Sequence, residues 1–163
     1  MDVDATVRQS LAALGVPYDE VAIDPALADT VAFCATYGYP LEDSANTILV
    51  VGKGEPPRYV TCVVLATTRL DVNRTVRQRL SRRASFASPD EARAVTGMEL
   101  GGVTVFGLPA DLPIWVDARV MQRERIVLGG GSRSWKVVAP PAILAALPAV
   151  EVVDGLANEA QVR

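Results

Sequence analysis

An α+β single domain, with a mixed β-sheet and flanking helices, is the fold class predicted by this chain of 163 residues. Three observations carry the prediction. Segments of helical spacing alternate with short β-branched runs, with no internal repeat and no linker between them. Half of the residues are hydrophobic and only 21% are charged, which suits one sizeable core and argues against disorder. Two glycine clusters interrupt the strands: Gly101-Gly102-Val103-Thr104-Val105-Phe106-Gly107, which follows Thr96-Gly97, and Gly129-Gly130-Gly131-Ser132-Arg133. Clustered glycine costs backbone entropy, so it points to unusual dihedrals or to close approach of another group. Tight turns in a β-rich domain and a pocket walled by main chain both fit that spacing.

The elements follow in order. Val3, Val7, Leu11 and Leu14 repeat at helical spacing, and Gly15 and Pro17 end the pattern. Tyr18 to Ile23 alternates as a strand. Asp29-Thr30 can cap a helix over 30–37 that Gly38 stops. Thr47-Ile48-Leu49-Val50-Val51 reads as a buried strand, Gly52 to Pro57 as a turn and Arg58 to Ala66 as the second arm of a hairpin. Val72, Val76 and Leu80 make a helical stripe over 72–80. Ser88-Pro89-Asp90-Glu91 is a capping-box start for a helix ending near Thr96-Gly97. Leu112 to Val116 is a strand leading to Asp117. Arg125 to Leu128 and Ser134 to Val138 are strands flanking the triple glycine. Pro140-Pro141 opens a helix to Leu147, and Val150 to Val153 is a last strand. The expected domain is 1–155, with 156–163 a frayed tail.

Composition narrows the chemistry. The chain has no histidine, which removes the commonest general base, the usual Ser and Cys triads and mixed-ligand zinc sites. Cys34 and Cys62 lie in apolar contexts and read as reduced core residues. No metal or other cofactor is expected. No apolar run is long enough to span a bilayer, and the acidic start lacks the features of a secretory signal, so a cytoplasmic protein with no membrane partner is expected. Net charge is −3, unevenly spread. Residues 1–57 are strongly acidic, whereas 69–83 hold six arginines and one acid. Arg74, Arg77, Arg79 and Arg82 on the 72–80 helix and just after it form a candidate tRNA patch, with a merely solvated helix face as the alternative.

In order and spacing, these motifs are similar to the YbaK/ProX-type aminoacyl-tRNA editing domains, which occur free-standing and inserted in prolyl-tRNA synthetases. The resemblance rests on a strand opening Thr-aliphatic-aliphatic-Val, then Thr-Gly, Gly-Gly-Val-x-x-Phe-Gly, aliphatic-Asp and Gly-Gly before a final strand and helix. It covers roughly residues 10–153. It implies a mixed, curved β-sheet with flanking helices, and a trans-acting deacylase that hydrolyses the ester of a mischarged tRNA. It assigns Gly101 and Gly102 to the aminoacyl pocket as main-chain donors to a developing oxyanion. Asp117 becomes the acid that holds the substrate amine or ribose, with a helix N-cap as its alternative role. Thr47, Thr104, Phe106, Gly130, Gly131 and Arg133 become substrate-binding positions, the last three near the terminal adenosine.

The chain also departs from the family pattern. The family strand opens Lys-Thr, and here it opens Asn46-Thr47, so Asn46 brings a hydrogen-bonding group and no charge. Lys53 lies too far along the strand and on its opposite face to substitute. Val105 stands where the family has proline, and Tyr18-Asp19-Glu20 lacks the family's early histidine. Two readings follow: a deacylase of shifted specificity, or a module that binds aminoacyl-tRNA, amino acid or nucleotide without turnover. A third makes the chain a partner of an aminoacyl-tRNA synthetase through apolar surface near Trp115 or Trp135.

Overall fold

The computed structural model describes residues 2–160. Its centre is a five-stranded sheet of order β5-β2-β3-β6-β9, made by Ala84–Phe86, Ala45–Gly52, Arg58–Leu65, Ile114–Asp117 and Val150–Val153. β2 pairs antiparallel with β3 and with β5, whereas β6 runs parallel to β3 and to β9, so the sheet is mixed. β1 (Asp19–Ala22), β8 (Trp135–Ala139) and β7 (Ile126–Gly129) form a second, antiparallel sheet in that order. A parallel bridge between Ser44 and Val127 joins the two sheets.

β3 is the central strand and is apolar on both sides. Val63 and Leu65 face a core built with Val7 and Leu11 of α1 (Val3–Leu14), and Val60, Cys62 and Val64 face a second core under the arginine-rich segment. α2 (Thr30–Tyr37) covers the outer side of β7 and β8 through Phe33 and Cys34. Both cysteines are buried and free, and burial pushes the Cys62 thiol up to about 12. The hairpin, the first two helices and α4 (Pro89–Thr96) with its complete capping box stand where the sequence places them.

Three segments differ from expectation. The stripe over 72–80 is not one α-helix: Val72–Val76 winds as a π-turn before α3 (Arg77–Leu80). The expected frayed tail is ordered as far as residue 160. Ala157–Glu159 forms β10 and pairs antiparallel with β4 (Thr68–Leu70), and Leu156 is fully buried. The rest of that tail, 161–163, lies outside the described residues. Finally, the helix opened by Pro140-Pro141 is short, α5 (Ala142–Ala145). Among the described residues no helix is long and apolar enough to cross a membrane.

Candidate functional site

β5 covers only the second half of β2. Its last bond to β2 runs from the Ala87 N–H to the Leu49 carbonyl, at 2.9 Å. Antiparallel alternation then points the Thr47 peptide groups off the same edge, beyond the reach of β5. A cavity of about 480 Å³ opens at this free edge, between β2, the start of α2, the β7–β8 ladder and the first glycine loop. Asn46, Thr47, Thr30, Gly101, Gly129 and Lys136 are among the residues that line it.

Lys136 was not singled out from the sequence. β8 alternates, with Trp135, Val137 and Ala139 in the main core, so Lys136 and Val138 face α2. Opposite Lys136 in the ladder is Gly129, which has no side chain to close the space above the ammonium. Lys136 is 8% exposed; its Nζ donates to the Gly101 carbonyl at 2.9 Å and lies 5.6 Å from the Phe33 ring centre. Burial, reinforced by the nearby Arg133 guanidinium, lowers its pKa from 10.5 to about 8. No acid pairs with it among the described residues. The only other ionisable lining residue is Asp29, whose carboxylate is already held by Arg133 at 3.1 Å. Lys136 is therefore the single uncompensated charge of the pocket. The signal in the sequence was one lysine inside an otherwise wholly apolar strand.

Asn46 and Thr47 do both line the cavity. The Thr30 hydroxyl donates to Asn46 Oδ1 at 2.9 Å, which leaves the Asn46 amide as a donor. The buried Thr47 hydroxyl has no hydrogen-bond partner. Asp29 sits at the N-cap of α2 yet makes no cap bond, because its carboxylate is turned to Arg133.

The two glycine clusters touch. The Gly131 N–H donates to the Gly102 carbonyl at 2.6 Å, and a Cβ on Gly129 would lie 2.6 Å from the Val103 carbonyl oxygen. Only Gly101 and Gly129 reach the cavity, however. The Gly102 N–H is spent on the Glu99 carbonyl at 2.9 Å, so it is no free oxyanion donor. Gly130 lies against the Trp135 indole, and Gly131 against Val7 and Val3. These three glycines let main chain pass main chain or a core side chain; they do not contact the pocket.

Further expectations from the sequence are corrected. Asp117 is buried two strands away from β2, beside Arg119 and the Ala118, Leu156 and Ala157 backbone N–H groups. Burial still raises its pKa, and Oδ2 has no hydrogen-bond partner. It anchors the start of β10 and does not meet the pocket. Thr104 and Phe106 are fully buried, and Phe106 belongs to the main core. Arg133 lies at the rim as a strap: Nε donates to the Pro25 carbonyl, and Nη1 to Asp29 and the Leu100 carbonyl. In the arginine patch, Arg79 is withdrawn, stacked over Trp115 and paired with Glu151. Trp115 and Trp135 are themselves buried, so neither offers the apolar surface expected for a synthetase partner.

An open strand edge, main-chain walls and one buried cation define the candidate site. The chain belongs to the aminoacyl-tRNA editing domain family, whose model matches residues 24–147 and so spans the whole pocket. Membership connects the protein with tRNA editing and, in general terms, with a tRNA or synthetase partner. It is 28% identical over 106 residues to the uncharacterized protein YwhH of Bacillus subtilis (strain 168), a match spanning 65% of this chain and 66% of that protein, just under two thirds. The fold is similar to the crystal structure of a candidate trans-editing enzyme for prolyl tRNA synthetase, with TM-score 0.81, 22% identity and coverage of 98% and 99% of the two chains. It is also similar to the hypothetical protein APE2540, with TM-score 0.83, 20% identity and coverage of 94% and 99%.

Proposed function

We propose that the protein is a trans-acting aminoacyl-tRNA deacylase whose pocket cation is Lys136. The observation that supports this reading is the buried ammonium, free of any acid partner, in the pocket whose family lysine is replaced by Asn46. The mischarged amino acid and the 3′ ribose enter at the free edge of β2. Water adds to the ester carbonyl and its carbonyl oxygen becomes an oxyanion. Lys136 and the outward Thr47 N–H then stabilise that charge as it forms. Collapse breaks the ester bond, the ribose oxygen takes a proton, and free amino acid and tRNA leave. With no histidine to act as base, rate comes from orientation and electrostatics.

A panel of mischarged tRNAs, assayed for ester hydrolysis, tests the reading. A rescue experiment tests the cation. Lys136→Met should slow deacylation about a hundredfold to a thousandfold, and Lys136→Met with Asn46→Lys should regain a large part of the wild-type rate, since both positions line one cavity. A wild-type protein inactive on every substrate, with activity appearing only in Asn46→Lys, would instead establish the second reading, a binding module. What favours that second reading is Asn46 itself, whose carbonyl is already engaged by Thr30.

A further inference from the structure

Six residues of β2 beyond Asn46, the segment packed on the same sheet face carries a group of arginines that the pocket chemistry does not use. Residues of even number on β2 point to one face. Val50 of that set packs in the core under the arginine-bearing segment, and a Cβ on Gly52 would lie 3.1 Å from Leu80 Cδ1 and 3.5 Å from Arg82 Cδ. Asn46 and Gly52 are thus on one face, about 20 Å apart along the strand. Arg82 in turn borders a basin of about 530 Å³ on the outer side of the arginine segment, lined also by Asn73, Arg74, Arg77, Gln78, Ser81 and Arg83 and by no acid. Arg82 is tied down by its bond to the Pro56 carbonyl at 2.7 Å. Arg74, Arg77 and Arg83 are exposed and have no acid partner among the described residues. Between pocket and basin stands Phe86, paired with Val50 on the edge strand β5 and 57% exposed.

We infer that this face is a track for an RNA end: unpaired nucleotides leave the pocket past Phe86, on which a base stacks, and the duplex that follows sets its phosphates in the arginine basin. The track rests on the deacylase reading for what enters the pocket, but its own evidence is independent. Three unpaired cations in a concave surface suit a polyanion that carries several charges at fixed spacing. An exposed aromatic ring on a sheet edge between a pocket and a cationic basin suits a planar base. The separation of about 20 Å along an extended strand is one that a few unpaired nucleotides span. The basin differs from the patch read in the sequence: Arg79 leaves it and Arg83 joins it.

Fluorescence anisotropy with an uncharged, 5′-labelled RNA hairpin tests the track, because it needs no hydrolysis. Two forms of the probe are compared, one with an unpaired 3′ end and one blunt. The Arg74→Ala/Arg77→Ala/Arg83→Ala variant should bind both forms more weakly, and the slope of log K against log salt should fall by about 2.7, for three lost duplex phosphate contacts. Phe86→Ala should bind the tailed hairpin about tenfold more weakly and the blunt one as wild type does, and Phe86→Trp should bind both normally. All four side chains are exposed, so melting temperatures should not change. Wild-type affinity and salt slope in the triple variant, or an equal effect of Phe86→Ala on both probes, would overturn the track. If the probes behave as stated while no mischarged tRNA is hydrolysed, the reaction fails and the track stands. If hydrolysis proceeds with KM unchanged in the triple variant, the track fails and the reaction stands.

Discussion

Lys136→Met is expected to give a protein that is more stable and yet a far slower catalyst. Below pH 8 the folded and unfolded chains both hold the Lys136 proton, and the folded state bears the full cost of burying it. The drop from 10.5 to about 8 places that cost near 3 kcal/mol. Allowing for the lost bond to the Gly101 carbonyl, methionine should gain about 2 kcal/mol at pH 7, or about 4–8 °C in melting temperature. The sign of the pH dependence is fixed. Between about pH 8 and 10.5 the folded lysine is neutral while the unfolded chain stays protonated, so wild-type stability rises and the advantage of methionine shrinks. Hydrolysis should move the opposite way. Removing one preorganised stabiliser of the oxyanion costs about a hundredfold to a thousandfold in rate. For the wild type, kcat/KM corrected for spontaneous hydrolysis should fall above about pH 8, as the ammonium loses its proton. Thermal melts and deacylation profiles across pH measure both. Full activity in the methionine variant would remove Lys136 from the chemistry.

Gly129→Ala, unlike Lys136→Met, is expected to lower stability and activity together. The new Cβ would lie 2.6 Å from the Val103 carbonyl oxygen, 2.7 Å from that of Gly102 and 3.0 Å from the Gly102 carbonyl carbon. All three are backbone atoms, so no side chain can swing aside. Relief requires the first glycine loop to lift from β7, which breaks the Gly131-to-Gly102 bond and carries the Gly101 carbonyl away from Lys136. Overpacking of this kind costs about 3 kcal/mol, or about 6–12 °C in melting temperature. Gly38→Ala is the matched control. Its Cβ would meet nothing within 4 Å, so only the left-handed backbone at φ 78° opposes it, at about 1 kcal/mol. That variant should retain its pocket and its activity. If Gly129→Ala melts like Gly38→Ala, the contact between the glycine corners is not what holds the pocket wall.

Local signals were legible in the sequence wherever short-range geometry decides the outcome. The Ser88–Glu91 box, the αL stop at Gly38 and the β2–β3 hairpin each rest on residues close in the chain. Long-range decisions were not. Ala157-Asn158-Glu159 has little strand preference, and only its pairing with β4 makes it one. Lys136 looks like an outward position on an alternating strand until α2 is laid over that face. Asp117 matches a motif in order, yet it sits at the end of β6, and β3 separates that strand from β2. The arginine patch is read from one α-helix over 72–80, and the π-turn at Val72–Val76 changes which of the arginines share a side.

The contact between the two glycine corners has a consequence for how selectivity can change. Peptide groups have no rotamers, so where Gly101 and Gly129 line the cavity they offer a guest the same rigid outline whatever arrives. Discrimination between one amino acid and another falls to the opposite wall, where Thr30, Asn46 and Ile48 can be exchanged without disturbing the crossing of the chains. A lineage could retune its substrate there while the mould beneath stayed fixed.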